Sequence, residues 1–140
     1  MARILIVDDD PMVRGFADLV LSQQGYKVVA AATSETALQI LGRESFNLVL
    51  LDIRMPGMTG LDVLRLLRTR PNKPKILMMT GQRDPGTIMQ AIEQGAAGYL
   101  VKPFQPQDLV RRVDAILRPA KAAPAPPPPP ESKGGEVLLD

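Results

Sequence analysis

The chain has 140 residues, 45% of them hydrophobic, a net charge of +2, and neither cysteine nor histidine. That length supports one well-buried core. The two missing residue types exclude disulfides, thiolate nucleophiles, imidazole metal sites, Ser-His or Cys-His catalysis and a phosphohistidine on the chain itself, and the lack of cysteine fits a reducing compartment.

The weak positive charge does not indicate nucleic acid. Residues 1–118 carry 15 Lys+Arg against 12 Asp+Glu and the remainder 2 against 3, only Arg111 and Arg112 are adjacent, and the phenylalanines stand isolated. The opening MARILIVDDD has too short an apolar run for a leader or a membrane span, so a cytoplasmic protein without membrane attachment is expected.

In chain order, the first β-rich apolar run is Arg3 to Val7. Asp10-Pro11 then marks a helix start, a capping residue ahead of a proline in the first turn. Val13, Phe16, Ala17, Val20 and Leu21 keep the spacing of one buried helix face, and Gly25 marks its left-handed stop. A second run, Lys27 to Ala31, leads into another helical pattern, and a third covers Asn47 to Leu51. Thr59 with Asp62 has the spacing of a capping box for the third helix. The fourth run is Lys75 to Met79, followed by Asp84-Pro85 as a helix start and Gly95 as its stop. The fifth is Gly98 to Val101; Gln105-Pro106 then opens a helix whose buried face is Leu109, Val110, Val113, Ile116 and Leu117. Met55, Met58, Met78, Met79 and Met89 read as filler for core and loop gaps. Gly57 and Gly60 read as backbone accommodations in the loop after Asp52.

Five strand-helix units with continuous apolar strands define an α/β fold, a doubly wound parallel sheet covered on both faces. Such sheets bind ligands beyond the carboxyl ends of their strands. Strand one ends in Asp8-Asp9-Asp10, strand three in Asp52, strand four in Thr80 and strand five in Lys102, whereas strand two ends in Ala31-Ala32. The order 2-1-3-4-5 leaves strand two at an edge and gathers the four polar ends. Residues 1–118 therefore form the domain. From Pro119 the proline- and alanine-rich stretch, residues 119–140, reads as a disordered tail or linker. Its terminal Val137–Asp140 repeats the VLLD of residues 49–52 without a helix to cover it.

Asp10 is explained by its cap. For Asp8, Asp9 and Asp52, gathering at one rim carries a repulsion of about 3 kcal/mol for a pair ~5 Å apart at an effective dielectric of 20. A hard divalent cation, Mg²⁺ by ligand type, relieves it. With Lys102 opposite Asp52 and the Thr80 hydroxyl completing the cradle, the constellation suits phosphoryl transfer onto the Asp52 carboxylate.

The stretches ILIVDDDPMVR, NLVLLDIRMPGMTG, ILMMTG and GYLVKPF, in this order, resemble those of bacterial two-component response-regulator receiver domains, the single-domain chemotaxis kind included, over residues 3 to about 118. The resemblance implies the flavodoxin-like receiver fold, Asp52 as phosphoacceptor and Lys102 on the phosphoryl group. For Mg²⁺ it implies Asp9 directly, Asp8 through water, and the backbone carbonyl of Arg54. It further implies Thr80 and Tyr99 as the switch, Arg54 and Gln82 as tuners of phosphoryl loss, and a cis bond before Pro103 that aims Lys102 inward. The implied partners are a sensor histidine kinase or histidine phosphotransfer protein and a downstream protein target. The target would dock on the surface of helix four, strand five and helix five of a monomer or weak, phosphorylation-dependent dimer.

Two alternatives accompany this reading. A haloacid dehalogenase-type phosphatase also forms an aspartyl phosphate, and Asp8-Asp9-Asp10 offers its Asp-x-Asp spacing, but no acidic pair follows Lys102. The chain also reads as the receiver part of a longer regulator with a separate output domain.

Overall fold

The computed structural model describes residues 2–81 and 85–118; Gln82, Asp84 and everything from Pro119 on, Val137–Asp140 included, lie outside the described residues. Strands and helices alternate: β1 (Arg3–Val7), α1 (Pro11–Gln23), β2 (Lys27–Ala31), α2 (Ser34–Leu41), β3 (Leu48–Asp52), α3 (Gly60–Arg68), β4 (Lys75–Thr80), α4 (Pro85–Glu93), β5 (Gly98–Val101) and α5 (Pro106–Leu117). All strand pairs are parallel, in the expected order β2-β1-β3-β4-β5.

Three strand boundaries move, and two of them matter for the site. β3 extends through Asp52 and β4 through Thr80, because Asp52 pairs in register with Met79 and Thr80 with Val101. The ladder thus continues into the polar residues and holds their backbones as strand, not as loop. At its other end β3 starts one residue late: Asn47 bonds to Arg3 through both its main chain and its side chain.

The period-two alternation of each strand divides the core into two layers. Leu5, Val7, Val49, Leu51 and Met78 pack with Val63, Leu64, Leu67 and Ala91 on one face of the sheet. Ile4, Ile6, Leu48, Leu50, Leu77 and Met79 pack with Ala17, Leu21, Leu109 and Val113 on the other. Most of these strand residues are fully buried, and each large aliphatic contributes roughly 1.5–3 kcal/mol by leaving water. Phe16 and Phe104, isolated in sequence, meet at 5.9 Å between ring centroids and join α1 to the segment after β5.

The local signals for helix ends hold where they are described. The Asp10 carboxylate accepts from Met12 N–H at 2.9 Å. Thr59 and Asp62 form the reciprocal capping box. At α5 the Asp108 carboxylate accepts from Gln105 N–H at 3.2 Å. Gly25 and Gly95 adopt φ of 92° and 105°, the left-handed conformation their role requires. The methionine reading needs one correction: Met78, Met79 and Met55 are buried, but Met89 is 57% exposed. Two positions before the buried Ala91, it lies about 200° around α4, on the outer face. No described helix is long and apolar enough to cross a membrane.

Far from the polar rim, the Tyr26 hydroxyl donates to Asp114 of α5, and the Arg118 guanidinium sits 4.9 Å from the Tyr26 ring centroid. Burial, then the Asp114 carboxylate, push the Tyr26 hydroxyl up to about 12, so it stays a donor throughout the physiological range.

Candidate functional site

Backbone hydrogen bonds between neighbouring strand ends set the site. Asp8 N–H donates to Ala31 O at 3.2 Å, Ile53 N–H to Met79 O at 2.9 Å, and Lys102 N–H to Thr80 O at 2.7 Å. Because adjacent strands are locked in register, Asp8, Asp52, Thr80 and Lys102 emerge at one rim although they span most of the domain. Asp8, Asp52 and Thr80 are buried there, while Asp9 is exposed.

The carboxylates of Asp8, Asp9 and Asp52 each offer an oxygen within 4.8 Å of the others. Lys102 Nζ bridges two of them, 2.7 Å from Asp8 Oδ2 and 3.4 Å from Asp52 Oδ2. The first contact is an ion pair without good hydrogen-bond direction, leaving the fully buried Asp8 Oδ2 without a proper donor. Asp8 Oδ1 accepts from Asp10 N–H at 2.9 Å, and Asp52 Oδ1 from Arg54 N–H at 3.2 Å.

Burial pushes the Asp52 carboxyl up to about 6, and Asp8 adds to the rise; Lys102 and the Arg54 N–H oppose it without overcoming it. At Lys102 desolvation alone would lower the ammonium, yet the two carboxylates hold it above its ordinary value. Three carboxylates against one ammonium leave two negative charges. A divalent cation with oxygen ligands matches both that charge and the under-served buried oxygen. The residues present therefore fit Mg²⁺.

The switch candidates lie beside this cluster. The register pairs Met78 with Tyr99 and Thr80 with Val101, which puts Thr80 and Tyr99 on one face of the sheet, two residues apart in register. Tyr99 is partly buried against the layer containing Met78 and Leu51. The Arg112 guanidinium of α5 stands 5.5 Å from its ring centroid. The Lys102-Pro103 bond is cis, as the resemblance implies. Gln82 falls outside the described residues. The Arg54 side chain is exposed, and with Ile53, Met55, Pro56, Thr59, Leu61 and Thr87 it borders an open depression of about 420 Å³ next to Asp52.

Sequence reasoning missed two residues here. Arg14 of α1 donates from Nη1 to the Asp8 backbone carbonyl at 2.9 Å, and Arg112 covers Tyr99. For Arg14 a signal existed: helical side chains lean toward the helix N-terminus, so a long donor in the second turn reaches back to the strand end. For Arg112 none did, since the contact depends on how α5 lies along β5.

Comparison with known proteins identifies the class of module to which this rim belongs. The sequence pattern of the response regulator receiver domain matches residues 4–114. The chain is 40% identical over 116 residues to the protein PetR of Rhodobacter capsulatus, covering 83% of this chain and 48% of that one. It is 40% identical over 123 residues to the DNA-binding response regulator MtrA of Mycolicibacterium smegmatis, covering 88% and 54%. Among solved structures it superposes with a TM-score of 0.79 on the chemotaxis response regulator CheY4 of Vibrio cholerae, at 32% identity, covering 83% of this chain and 98% of that one. The chain belongs to the response regulator receiver domain family and is a two-component signalling receiver. This sets aside the haloacid dehalogenase-type alternative. The chain spans about half the length of the curated relatives it matches.

Proposed function

We propose that Asp52 accepts a phosphoryl group from a phosphohistidine on a sensor kinase or phosphotransfer protein, and that this modification switches a partner-binding surface. The observation that carries the reading is the convergence of Asp8, Asp9, Asp52 and Lys102 at one rim in a chain of this family. In the transfer an Asp52 carboxylate oxygen forms the new O–P bond as the P–N bond to the donor imidazole breaks, and the imidazole leaves with its electron pair. At pH 7 an aspartate held near 6 is mostly ionised and therefore a competent nucleophile. Lys102, already bridging Asp8 and Asp52, supplies the ammonium that stabilises the phosphoryl oxygens. Mg²⁺, held by Asp8, Asp9, Asp52 and the Arg54 carbonyl, would neutralise charge on the transferring group.

Phosphorylation adds charge and acceptor oxygens at the strand end. Thr80 meets them, and Tyr99, on the same face, relays the change to the surface of α4, β5 and α5. The exposed Met89 and Ile92 give α4 an apolar contribution to a surface for a protein target. The domain is residues 1–118, with 119–140 as a tail or linker, in a cytoplasmic protein that is monomeric or dimerises weakly on phosphorylation. That the chain spans about half of its curated relatives is compatible with a second reading, in which it is the receiver part of a longer regulator.

The test is incubation with Mg²⁺ and acetyl phosphate followed by intact mass. Wild-type protein gains one phosphoryl group, the Asp52→Asn variant gains none, and omission of Mg²⁺ removes the reaction. Arg54→Ala and Gln82→Ala alter the rate at which the label is lost. Labelling of the Asp52→Asn variant at the wild-type level would overturn the assignment; an unchanged rate of loss would remove the role of Arg54 or Gln82 alone.

A further inference from the structure

We infer that Arg14 is a positioning residue for the cation site, fixing the Asp8-Asp9 peptide so that the two adjacent carboxylates face the same ion. This deepens the functional reading above and rests on it.

Three hydrogen bonds converge on Asp8 besides its ion pair with Lys102. Its N–H is held by Ala31 O at 3.2 Å, its Oδ1 by Asp10 N–H at 2.9 Å, and its carbonyl by Arg14 Nη1 at 2.9 Å. The first two constrain the residue from the β2 side and from the following turn. Only the third acts on the peptide plane that links Asp8 to Asp9. That plane decides where Asp9 goes: its carboxylate is exposed on the rim and is placed by its peptide link to a fully buried neighbour.

Arg14 is half-buried and is itself well placed. α1 begins at Pro11 with Asp10 as its cap, and the Arg14 N–H closes the first helical bond onto the Asp10 carbonyl at 3.1 Å. The helix that Asp10 starts thus returns a side chain to the residue two positions before its cap. Asp8, Asp10 and Arg14 form one hydrogen-bonded brace around the Asp8-Asp9 link.

Charge and positioning predict opposite outcomes, which makes the inference decidable. A guanidinium next to acidic ligands repels a cation, so on Coulomb's law alone its removal tightens Mg²⁺ binding. Loss of a group that orients ligands typically weakens metal binding about 10- to 100-fold.

The experiment is calorimetric titration of Mg²⁺ into the full chain for wild type, Arg14→Ala and Arg14→Lys, with urea unfolding in EDTA alongside. Arg14→Ala is expected to weaken Mg²⁺ about tenfold, and Arg14→Lys, which keeps the charge and one donor, to fall between. Mg²⁺ affinity that is unchanged or tighter in Arg14→Ala overturns the inference, even if that variant unfolds more easily. Should the alanine variant not fold, an unchanged or tighter affinity in Arg14→Lys overturns it likewise. Wild-type protein that binds no Mg²⁺ overturns the functional reading, and this inference with it.

Discussion

Asp52→Asn is expected to stabilise the metal-free protein by about 2 to 3 kcal/mol at neutral pH while abolishing its capacity to be phosphorylated. The cause is that Asp52 is buried beside Asp8 with a single ammonium shared between them. Its folded value of about 6 lies above the ordinary 3.8. The folded protein therefore holds this proton more tightly than the unfolded chain, and stability falls as pH rises from about 3.8 to about 6, then levels off. The full span corresponds to about 3 kcal/mol. That span already includes the opposing attraction of Lys102. The advantage of the variant should fade as pH drops below about 6 and disappear near 3.8.

Magnesium should narrow that difference. A ligand that binds only the folded state at a hundred times its dissociation constant contributes about 2.7 kcal/mol, and the wild type keeps one more carboxylate with which to bind it. Urea unfolding of both proteins in EDTA and in Mg²⁺, across the acid-to-neutral range, measures all of this. Equal stabilities in EDTA at neutral pH would mean that Asp52 is not held in a repulsive site.

Gly60→Ala is expected to cost about 3 kcal/mol, the upper part of the usual range for overpacking, and to slow phosphorylation about 100-fold, the cost of roughly 1 Å of misplacement. Gly60 opens α3, and a Cβ there would stand 2.2 Å from the Asp52 carbonyl oxygen and 2.8 Å from Ile53 Cα. Both neighbours are main-chain atoms tied into the sheet by Ile53 N–H to Met79 O, while Gly60 N–H itself bonds Ile53 O at 2.9 Å. Neither can rotate aside as a side chain could. Either α3 moves outward from its buried Val63, Leu64 and Leu67, or the end of β3 moves and takes Asp52 with it.

Gly57 provides the control. It needs its φ of 77°, but a Cβ there would meet only a Glu35 side-chain oxygen at 3.8 Å. Gly57→Ala should cost about 1–2 kcal/mol through backbone conformation and leave labelling near the wild-type rate. Chemical denaturation and the rate of mass gain with acetyl phosphate separate the two variants. Labelling of Gly60→Ala at the wild-type rate would show that close packing against the Asp52 main chain does not govern labelling.

Helix caps at Asp10 and Thr59 and stops at Gly25 and Gly95 were legible because each depends on a few neighbouring residues and on conformations that few residue types adopt. The gathering of Asp8, Asp52, Thr80 and Lys102 was legible for a different reason. Parallel strands share one direction, so polar residues closing buried strands must meet at one rim once the order is known, and the apolar end of β2 assigns it to the edge.

Other features had no local signature. Met89 reads like the core methionines, and only the rotation of α4 turns it outward. The ring of Tyr99 is covered by Arg112 because α5 lies alongside β5.

Sequence alone determined which groups are present, their strand ends and the rim they share, since alternation, capping and strand direction are properties of short segments. Tertiary structure alone decided how closely they approach. The 2.7 Å contact of Lys102 with Asp8, the rise of Asp52 to about 6, the reach of Arg14 to the Asp8 carbonyl and the absence of room for a Cβ at Gly60 are examples. The reason is that repulsion, desolvation and steric overlap change steeply over an ångström, a length that the packing of whole helices against the sheet sets and that no segment carries by itself.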